Sequence, residues 1–528
     1  MALSLKPIEI VHKLTHPLLA ITERWERVPL DTVACVQNGF AFKSEFFSRT
    51  TGLPLIRIRD INKEETENLY DGEYDHDFIV RQNDILIGMD GDFKIARWQG
   101  KDGLLNQRVC RLKMEANLYN KRFFFLCLQP YLDAIHSETS SVTVKHLSSK
   151  TIGEIPLPLP PFNEQHRIVA KIDELFSEID KGVESLKTAK AQLQVYRQAL
   201  LKHAFEGKLT AQWRSNNPDK VVPAEELLRS IEQAREERDR QQLTDWQTAV
   251  EKWEFNGKEG KKPSQPSKSN DITNINDKQL EDYEKLPHGW VYLRAEDISD
   301  FITKGTTPSK DKLFAGCGDI PFIKVYNLTK NGRLDFSIEP TFTDRETHNC
   351  FLARSKVYPD DVLMNIVGPP LGKVSIVPKT HQEWNINQAI VRFRSCFLDS
   401  RYLSNYLLAK QTVIKMCGKA KATVGQFNLT LEICRDLLIP VCGQQEQEEI
   451  LKLIDANLTH AEAMENEINL AVNKAEILRQ SILKKAFSGQ LVPQDPTDEP
   501  ASELLKRIQA EKAQRETTTK KQKVRSRN

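Results

Sequence analysis

Residues 197–213 read RQALLKHAFEGKLTAQW, and residues 479–495 read RQSILKKAFSGQLVPQD. Nine of these 17 positions are identical, at a constant offset of 282. The same offset carries Pro158, Glu164, Gln165, Ile168, Ile172 and Asp173 onto Pro440, Glu446, Gln447, Ile450, Ile454 and Asp455. Solenoid periods run to tens of residues, so this spacing marks a duplicated domain-plus-helix unit. Two copies in one chain imply approximate two-fold symmetry, which suits a target that comes in two halves.

The chain has 528 residues, enough for three or four domains. Charged residues make up 28% and hydrophobic ones 39%, ordinary for a soluble protein. A net charge of +2 excludes an overall basic coat but not a local basic groove. The nine cysteines are scattered without a CxxC pair, and no secretory signal opens the sequence. They read as reduced thiols of a cytoplasmic protein. No apolar run approaches the ~18 residues that span a bilayer. The NLT triplets at Asn327, Asn428 and Asn457 read as chance without a signal peptide.

Residues 1–156 read as a mixed α/β domain. Strands are expected at Leu53–Arg59 and Asp84–Gly88, from their apolar and β-branched runs. A helix is expected over Lys121–His136. IPLPLPP at 155–161 stops regular structure. A long helix then begins near Asn163. Ile168, Ile172, Leu175, Ile179, Gly182, Leu186, Ala189, Leu193, Tyr196, Leu200 and His203 alternate four and three apart, an a/d heptad seam. Gly207 is its expected stop.

Residues 157–215 thus form the first coiled-coil helix with its repeat motif. Residues 216–285 hold a charged helix, Pro223–Gln241, and a polar, flexible linker. Residues 286–439 form a second domain, in which IPFIKVYNLT (320–329) answers LPLIRIRDIN (53–62) and Asn387-Gln388 answers Asn106-Gln107. Residues 440–495 hold the second long helix, with Ile450, Ile454, Ala461, Met464, Ile468, Ala471, Ala475, Leu478 and Ile482 in the same frame. Residues 496–528 hold a further helix and a basic tail, KKQKVRSRN, expected to lack structure.

A heptad helix this long cannot hide its seam alone. Its simplest partner is its own duplicate, lying antiparallel. The fold class expected is α+β: two mixed α/β domains separated by two long antiparallel coiled-coil helices, a pseudo-two-fold internal repeat.

LPLPPFNEQHRIVAKIDEL (157–175), LLKHAFEGKLTAQWR (200–214) and ILKKAFSGQLVPQ (482–494) resemble the specificity subunit of type I restriction–modification enzymes. HGW at 288–290 and IPFIKV at 320–325 fit the start of that family's second target-recognition domain. LIPVCGQQEQ (438–447) departs by lacking the double proline, and no Gly precedes Trp25. The resemblance implies that each globular domain reads one half of a split double-stranded DNA sequence. It implies that two methyltransferase subunits dock on the helices for adenine-N6 methylation, and that two motor-nuclease subunits add restriction. S-adenosylmethionine would then bind the methyltransferase subunits, and ATP and Mg the restriction subunits, with no cofactor in this chain. The alternative is a non-catalytic coiled-coil adaptor whose domains bind proteins.

Catalytic motifs are missing. GPPL at 368–371 is the nearest string to an adenine methylase's N/D-P-P-Y/F. The Gly spacing from Gly368 to Lys373 is wrong for a phosphate loop. No HxxxH, HExxH or Cys/His cluster suggests a metal. Phosphate contacts want Lys and Arg, and base reading wants Arg, Asn and Gln. Lys410–Leu431 has Lys410, Lys415, Lys419 and Lys421 and no acidic residue. This makes Lys419 and Lys421 candidate DNA contacts. Its counterpart, Ser137–Ser149, offers Lys145 and His146. Arg57 and Arg59, and Lys324, Tyr326 and Asn327 opposite them in the repeat, are further candidates; on a strand, alternate residues share a face. Lys94, Arg97 and Lys373 are candidates expected on loops.

Overall fold

The structure, a computed structural model, describes residues 6–13, 16–114, 118–138, 146–259, 262–266, 268, 271–272, 275–395, 397–419, 422–423 and 426–525. The chain forms two compact units: Met1–Lys187 together with Asn469–Asn528, and Thr188–Ile468.

The strands of the first unit are β1 (Glu26–Pro29), β2 (Ala34–Asn38), β3 (Phe47–Ser48), β4 (Leu53–Ile56), β5 (Leu69–Tyr70), β6 (Ile79–Val80), β7 (Ile85–Gly88), β8 (Ile95–Arg97), β9 (Gly103–Leu105), β10 (Val109–Met114) and β11 (Pro156–Leu159). Its helices are α1 (Pro7–His12), α2 (Leu30–Val33), α3 (Lys121–Glu138), α4 (Ser149–Gly153) and the first part of α5 (Phe162–Phe205). Strand β7 is buried along its whole length, so ILIG reads as a continuous apolar run and does not alternate. The aromatic stretch from Phe123 becomes the core face of α3: Phe123, Phe124, Cys127, Leu128, Tyr131 and Ile135 recur at helical spacing and are buried.

The second unit has β12 (Val291–Arg294), β13 (Thr303–Lys304), β14 (Phe314–Ala315), β15 (Ile320–Ile323), β16 (Gly332–Arg333), β17 (Thr341–Thr343), β18 (Lys356–Val357), β19 (Val362–Asn365), β20 (Val374–Ile376), β21 (Trp384–Ile386), β22 (Ile390–Phe393), β23 (Ala422–Thr423), β24 (Gln426–Phe427) and β25 (Leu438–Val441). It continues α5 and adds α6 (Ala211–Asn216), α7 (Ala224–Phe255), α8 (Asp277–Leu280), α9 (Arg345–Asn349), α10 (Ser400–Leu408), α11 (Lys410–Gly418), α12 (Leu431–Arg435) and most of α13 (Gln444–Phe487). Helix α14 (Ala501–Arg525) belongs to the first unit and stays helical into the Lys/Arg-rich tail, where composition predicted no structure. Helix α7 runs past Gln241 to Phe255 and docks through Leu227, Ile231 and Arg235, one turn apart.

The two domains share one topology. Sheet order β2-β10-β7-β8 is answered by β13-β22-β19-β20, with β16 added at the edge. Order β3-β5-β4-β9-β6 is answered by β14-β17-β15-β21-β18, and the pair β1-β11 by β12-β25. The single helix α3 is answered by two, α10 and α11. Low identity between the domains therefore conceals the same framework built twice.

The long helices pair antiparallel within each unit. In the first, Ile168 and Ile172 of α5 share a core with Ile482, Ala486 and Phe487 of α13. Asp180 bonds Arg479, whose guanidinium lies 4.9 Å from the Phe176 ring centroid. In the second, Leu201, Ala204 and Phe205 share a core with Ile450 and Ile454. Tyr196 donates its hydroxyl to Asn457 at 2.7 Å, and Arg197 pairs with Glu465 at 3.1 Å. The expected seam fails midway: Met464 is 59% exposed, Leu478 50% and Tyr196 44%. A straight helix drifts about 20° per heptad against a 3.5-residue frame. The frame set at Ile450 and Ile454 thus holds as far as the buried Ala461 and then leaves the interface, which passes to the ion pairs of Glu465 and Arg479.

The repeated AFxGxL motif ends each helix. Gly207 (φ +70°) and Gly489 (φ +71°) take the left-handed conformation. Lys208 N donates to His203 O, and Gln490 N to Lys485 O, the Schellman closure. Beyond it each tail closes the domain packed against it. A Cβ on Gly207 would meet Pro287 Cγ at 2.4 Å, and one on Gly489 would meet Thr22 Cγ2 at 2.9 Å. Three residues past those contacts stand Trp290 and Trp25, whose indole N–H groups donate to the buried carboxylates of Glu446 and Glu164. The strongest sequence repeat is thus the joint between helix tail, tryptophan and helix head.

Candidate nucleic-acid interface

Backbone hydrogen bonds bring a row of loops to one edge of the first domain. The turn at Asn106-Gln107 is held by Asn106 N to Ile56 O at 3.3 Å, beside the turn that follows β4. Phe40 N donates to Leu105 O at 2.9 Å. Met89 N, in the loop after β7, donates to Arg108 O at 3.0 Å. Leu147 N, on the chain returning from α3, donates to Met89 O at 2.7 Å.

The second domain repeats each link. Asn387 N donates to Ile323 O at 3.1 Å, Thr306 N to Ile386 O at 3.2 Å, Ile366 N to Ala389 O at 2.9 Å and Leu429 N to Ile366 O at 2.9 Å. The packing is tight: a Cβ on Gly39 would lie 2.1 Å from Asn106 O, and one on Gly305 2.1 Å from Ile386 O. Only glycine fits at these two equivalent points. These links are made by the backbone, so the loop side chains can vary on a fixed frame.

Several predicted residues sit on this edge, though not as expected. Strand β4 stops at Ile56, and β15 at Ile323. Arg57 and Arg59 are therefore in a turn, as are Lys324 and Tyr326, and the shared-face argument fails for both pairs. The cause is local: Asp60 accepts from the Arg57 backbone N at 3.2 Å and pairs with its side chain at 3.4 Å, closing the turn. Arg59 is exposed. Lys324 lies over the Tyr326 ring, 5.7 Å from its centroid.

Asn327 is 1% exposed and cannot meet DNA as placed. Its amide donates to Asp335 O and Ile338 O and accepts from Lys324 N, so it builds the turn. Arg97 lies in strand β8, not on a loop, stacked 5.0 Å from the Phe125 ring centroid. Burial, then the nearby Arg122 charge, lowers its pKa.

Lys94 precedes β8, is 58% exposed and lies 3.6 Å from Asp92. Lys373 precedes β20, its backbone N donating to Asn365 Oδ1 at 2.9 Å. Lys419 is exposed just after α11. Lys415, from the same basic run, turns inward over the Tyr283 ring at 3.7 Å, and burial lowers its pKa. Lys145 and Lys421 lie outside the described residues.

Sequence reading missed Arg108 and the cluster it forms with Asp90 and His146. Asp90 Oδ2 accepts from Arg108 Nη1 at 2.6 Å, and His146 Nδ1 is 2.7 Å from Asp90 Oδ1. Arg108 directly follows the repeated Asn-Gln pair, and that repeat was the available signal. Among the described residues, no group of three His, Cys, Asp or Glu is arranged to hold a metal, and no helix is long and apolar enough to cross a membrane.

Residues 22–187 and 287–474 match the family model of the type I restriction modification DNA specificity domain. The type I restriction enzyme EcoBI specificity subunit of Escherichia coli is 31% identical over 529 residues, spanning 96% of this chain and 96% of that one. The EcoDI specificity subunit of Escherichia coli is 22% identical over 448 residues, 81% of this chain and 84% of that one. A solved structure described as the basis of complex assembly and conformational transition of the type I R-M system aligns with a TM-score of 0.57 at 16% identity. It covers 89% of this chain and 100% of that one, a likeness of fold. Two matched regions fall on the two equivalent domains and one relative is alike along almost its whole length, so the chain belongs to the DNA-specificity subunits of type I restriction–modification enzymes.

Proposed function

We propose that this subunit selects a bipartite, asymmetric DNA target, one half per domain, and has no chemistry of its own. The observation that carries this is the loop edge built twice on one topology with different side chains at matching backbone positions. A shared frame keeps the geometry of approach; divergent side chains give each half its own base preference. The candidate contacts on this edge are Arg59, Lys94, Lys324, Tyr326, Lys373 and Lys419, with Arg57 holding its turn and Arg97 behind it.

The helices are the proposed scaffold for two methyltransferase subunits, which would bind S-adenosylmethionine and place the N6-methyl groups. Their exposed apolar side chains, among them Met464 and Leu478, are the surface offered. Two restriction subunits with ATP and Mg would complete the nuclease. A protein-binding adaptor is not favoured, because the matched family is defined by DNA specificity.

The test is salt-dependent binding of a candidate duplex by the complex of this chain with its methyltransferase subunits. Affinity should fall linearly in log–log form, with a slope of about −0.9 per phosphate neutralised. Binding that ignores both salt and sequence would overturn the reading.

A further inference from the structure

The loop edge of the first domain holds one arrangement that the second lacks. Asp90 stands between two exposed side chains, Arg108 (53% exposed) and His146 (51%), while itself being 23% exposed. Its backbone is fixed by an antiparallel bridge to His146 and by the bonds that Met89 makes to Arg108 O and accepts from Leu147 N. Frame and side chains are thus locked together at one point. In the second domain the same backbone links place Val367, Ala389 and Asn428 there, with the bridge running Val367 to Asn428. An apolar pair and an amide stand where the first domain has a charged cluster.

Asp90 engages Arg108 through Nη1 alone. Among the described residues no protein acceptor takes Nε or Nη2, so one edge of the guanidinium keeps two parallel donors. That edge matches the O6 and N7 acceptors of guanine in the major groove. A carboxylate beside the guanidinium cancels most of its long-range charge, which suits a phosphate contact poorly. It also fixes the direction of the fork, which suits base reading. We propose that Arg108 reads a guanine in the half-site of the first domain, with Asp90 as its positioning residue and His146 closing the other side of that carboxylate. This rests on the DNA-recognition reading above and assigns one base class within it.

The experiment uses the complex with methyltransferase subunits and sequences the methylated sites of a host carrying it. The wild-type motif should contain a guanine in the first half-site. Arg108→Ala should make that position degenerate and weaken binding to the guanine-containing duplex about 5- to 150-fold, the span of one bidentate contact. Arg108→Lys keeps a charge but not a fork and should not restore the preference. Asp90→Ala should relax it and Asp90→Asn, which keeps an acceptor, should retain it. Unchanged discrimination in the second half-site shows that each variant is folded.

An unaltered motif in Arg108→Ala would overturn the proposal. So would an equal loss of affinity for every sequence, the mark of a phosphate contact. A wild-type complex that binds no sequence selectively would instead overturn the broader reading, before any variant is made.

Discussion

Trp290 donates its indole N–H to Glu446 Oε2 at 3.0 Å, the bond that Trp25 makes to Glu164 at 3.2 Å. The two carboxylates differ in what else they hold. Glu446 also accepts from Thr210 at 2.7 Å and from Arg214, whose side chain is 15% exposed. In the first unit the nearby Arg167 is paired with Asp498. Glu446→Ala therefore leaves a largely buried guanidinium without its carboxylate, with only Gly207 O and Thr210 Oγ1 as acceptors, at a cost of about 3–5 kcal/mol. Glu164→Ala strands mainly an indole N–H, about 1–3 kcal/mol. Urea denaturation of the two variants should rank Glu446→Ala as the more damaging. Equal losses would mean that Gly207 O and Thr210 Oγ1 suffice to hold Arg214.

Burial pushes the Glu164 carboxyl above the usual carboxylate range, while the Trp25 bond pulls it down. The native carboxyl then holds its proton more tightly than the unfolded one. Stability falls as pH rises from the ordinary glutamate value, about 4.3, through the raised one. Glu164→Gln removes this slope. Across that window the Gln variant should gain on the parent in urea midpoint as pH rises. A constant offset at every pH would show that Glu164 does not titrate differently in the two states.

Lys94, Lys373 and Lys419 should act through charge. Replacing any one with Ala should weaken binding alike for all sequences and reduce the log–log salt slope by about 0.9. Asn327→Ala should leave that slope unchanged and destabilise the second domain, because its amide is buried in the turn after β15. Salt titration with matched denaturation curves separates the two behaviours. A changed slope in the Asn327 variant would return that residue to the DNA surface.

If the helices set the gap between half-sites, their length sets the gap's size. A heptad inserted after Ala189 and another after Ala471 adds roughly 10 Å to each helix. That is up to about 3 base pairs of B-DNA. Methylated sites should keep both half-site sequences and gain spacing. Inserting two residues should break the heptad frame and destabilise the pair. An unchanged gap in an active, heptad-extended complex would show that the helices connect without measuring.

The sequence made the joints legible because packing dictates them. Gly207, Gly489, Trp25, Trp290, Glu164 and Glu446 each have one geometry to satisfy, and they recur in both copies. The helices were legible for the same reason near their ends, where Ile168, Ile172, Ile450 and Ile454 are fully buried. Midway the drift of a straight helix moved Met464 and Leu478 out of the seam, which a heptad count does not show. The binding edge was less legible. A run such as LPLIRIR does not reveal that Asp60 will bend the chain after Ile56, so the facing of Arg57 and Arg59 was misjudged. Asn327 read as a base-reading amide because its turn partners, Asp335 O and Ile338 O, are main-chain atoms that no side-chain pattern announces.

The first unit takes Met1–Lys187 and Asn469–Asn528, whereas the second is the continuous stretch Thr188–Ile468. The core of the first unit is completed by Ile482, Ala486, Phe487, Leu504 and Ile508. During synthesis, at about 5–20 residues per second, the first domain leaves the ribosome with its socket open. The second domain emerges whole before that socket can be filled. The domain made first is thus the last to be finished, and it waits some 15–60 seconds, on the order of that elongation rate, with apolar surface uncovered. Damage near the end of the chain would accordingly be felt at its beginning.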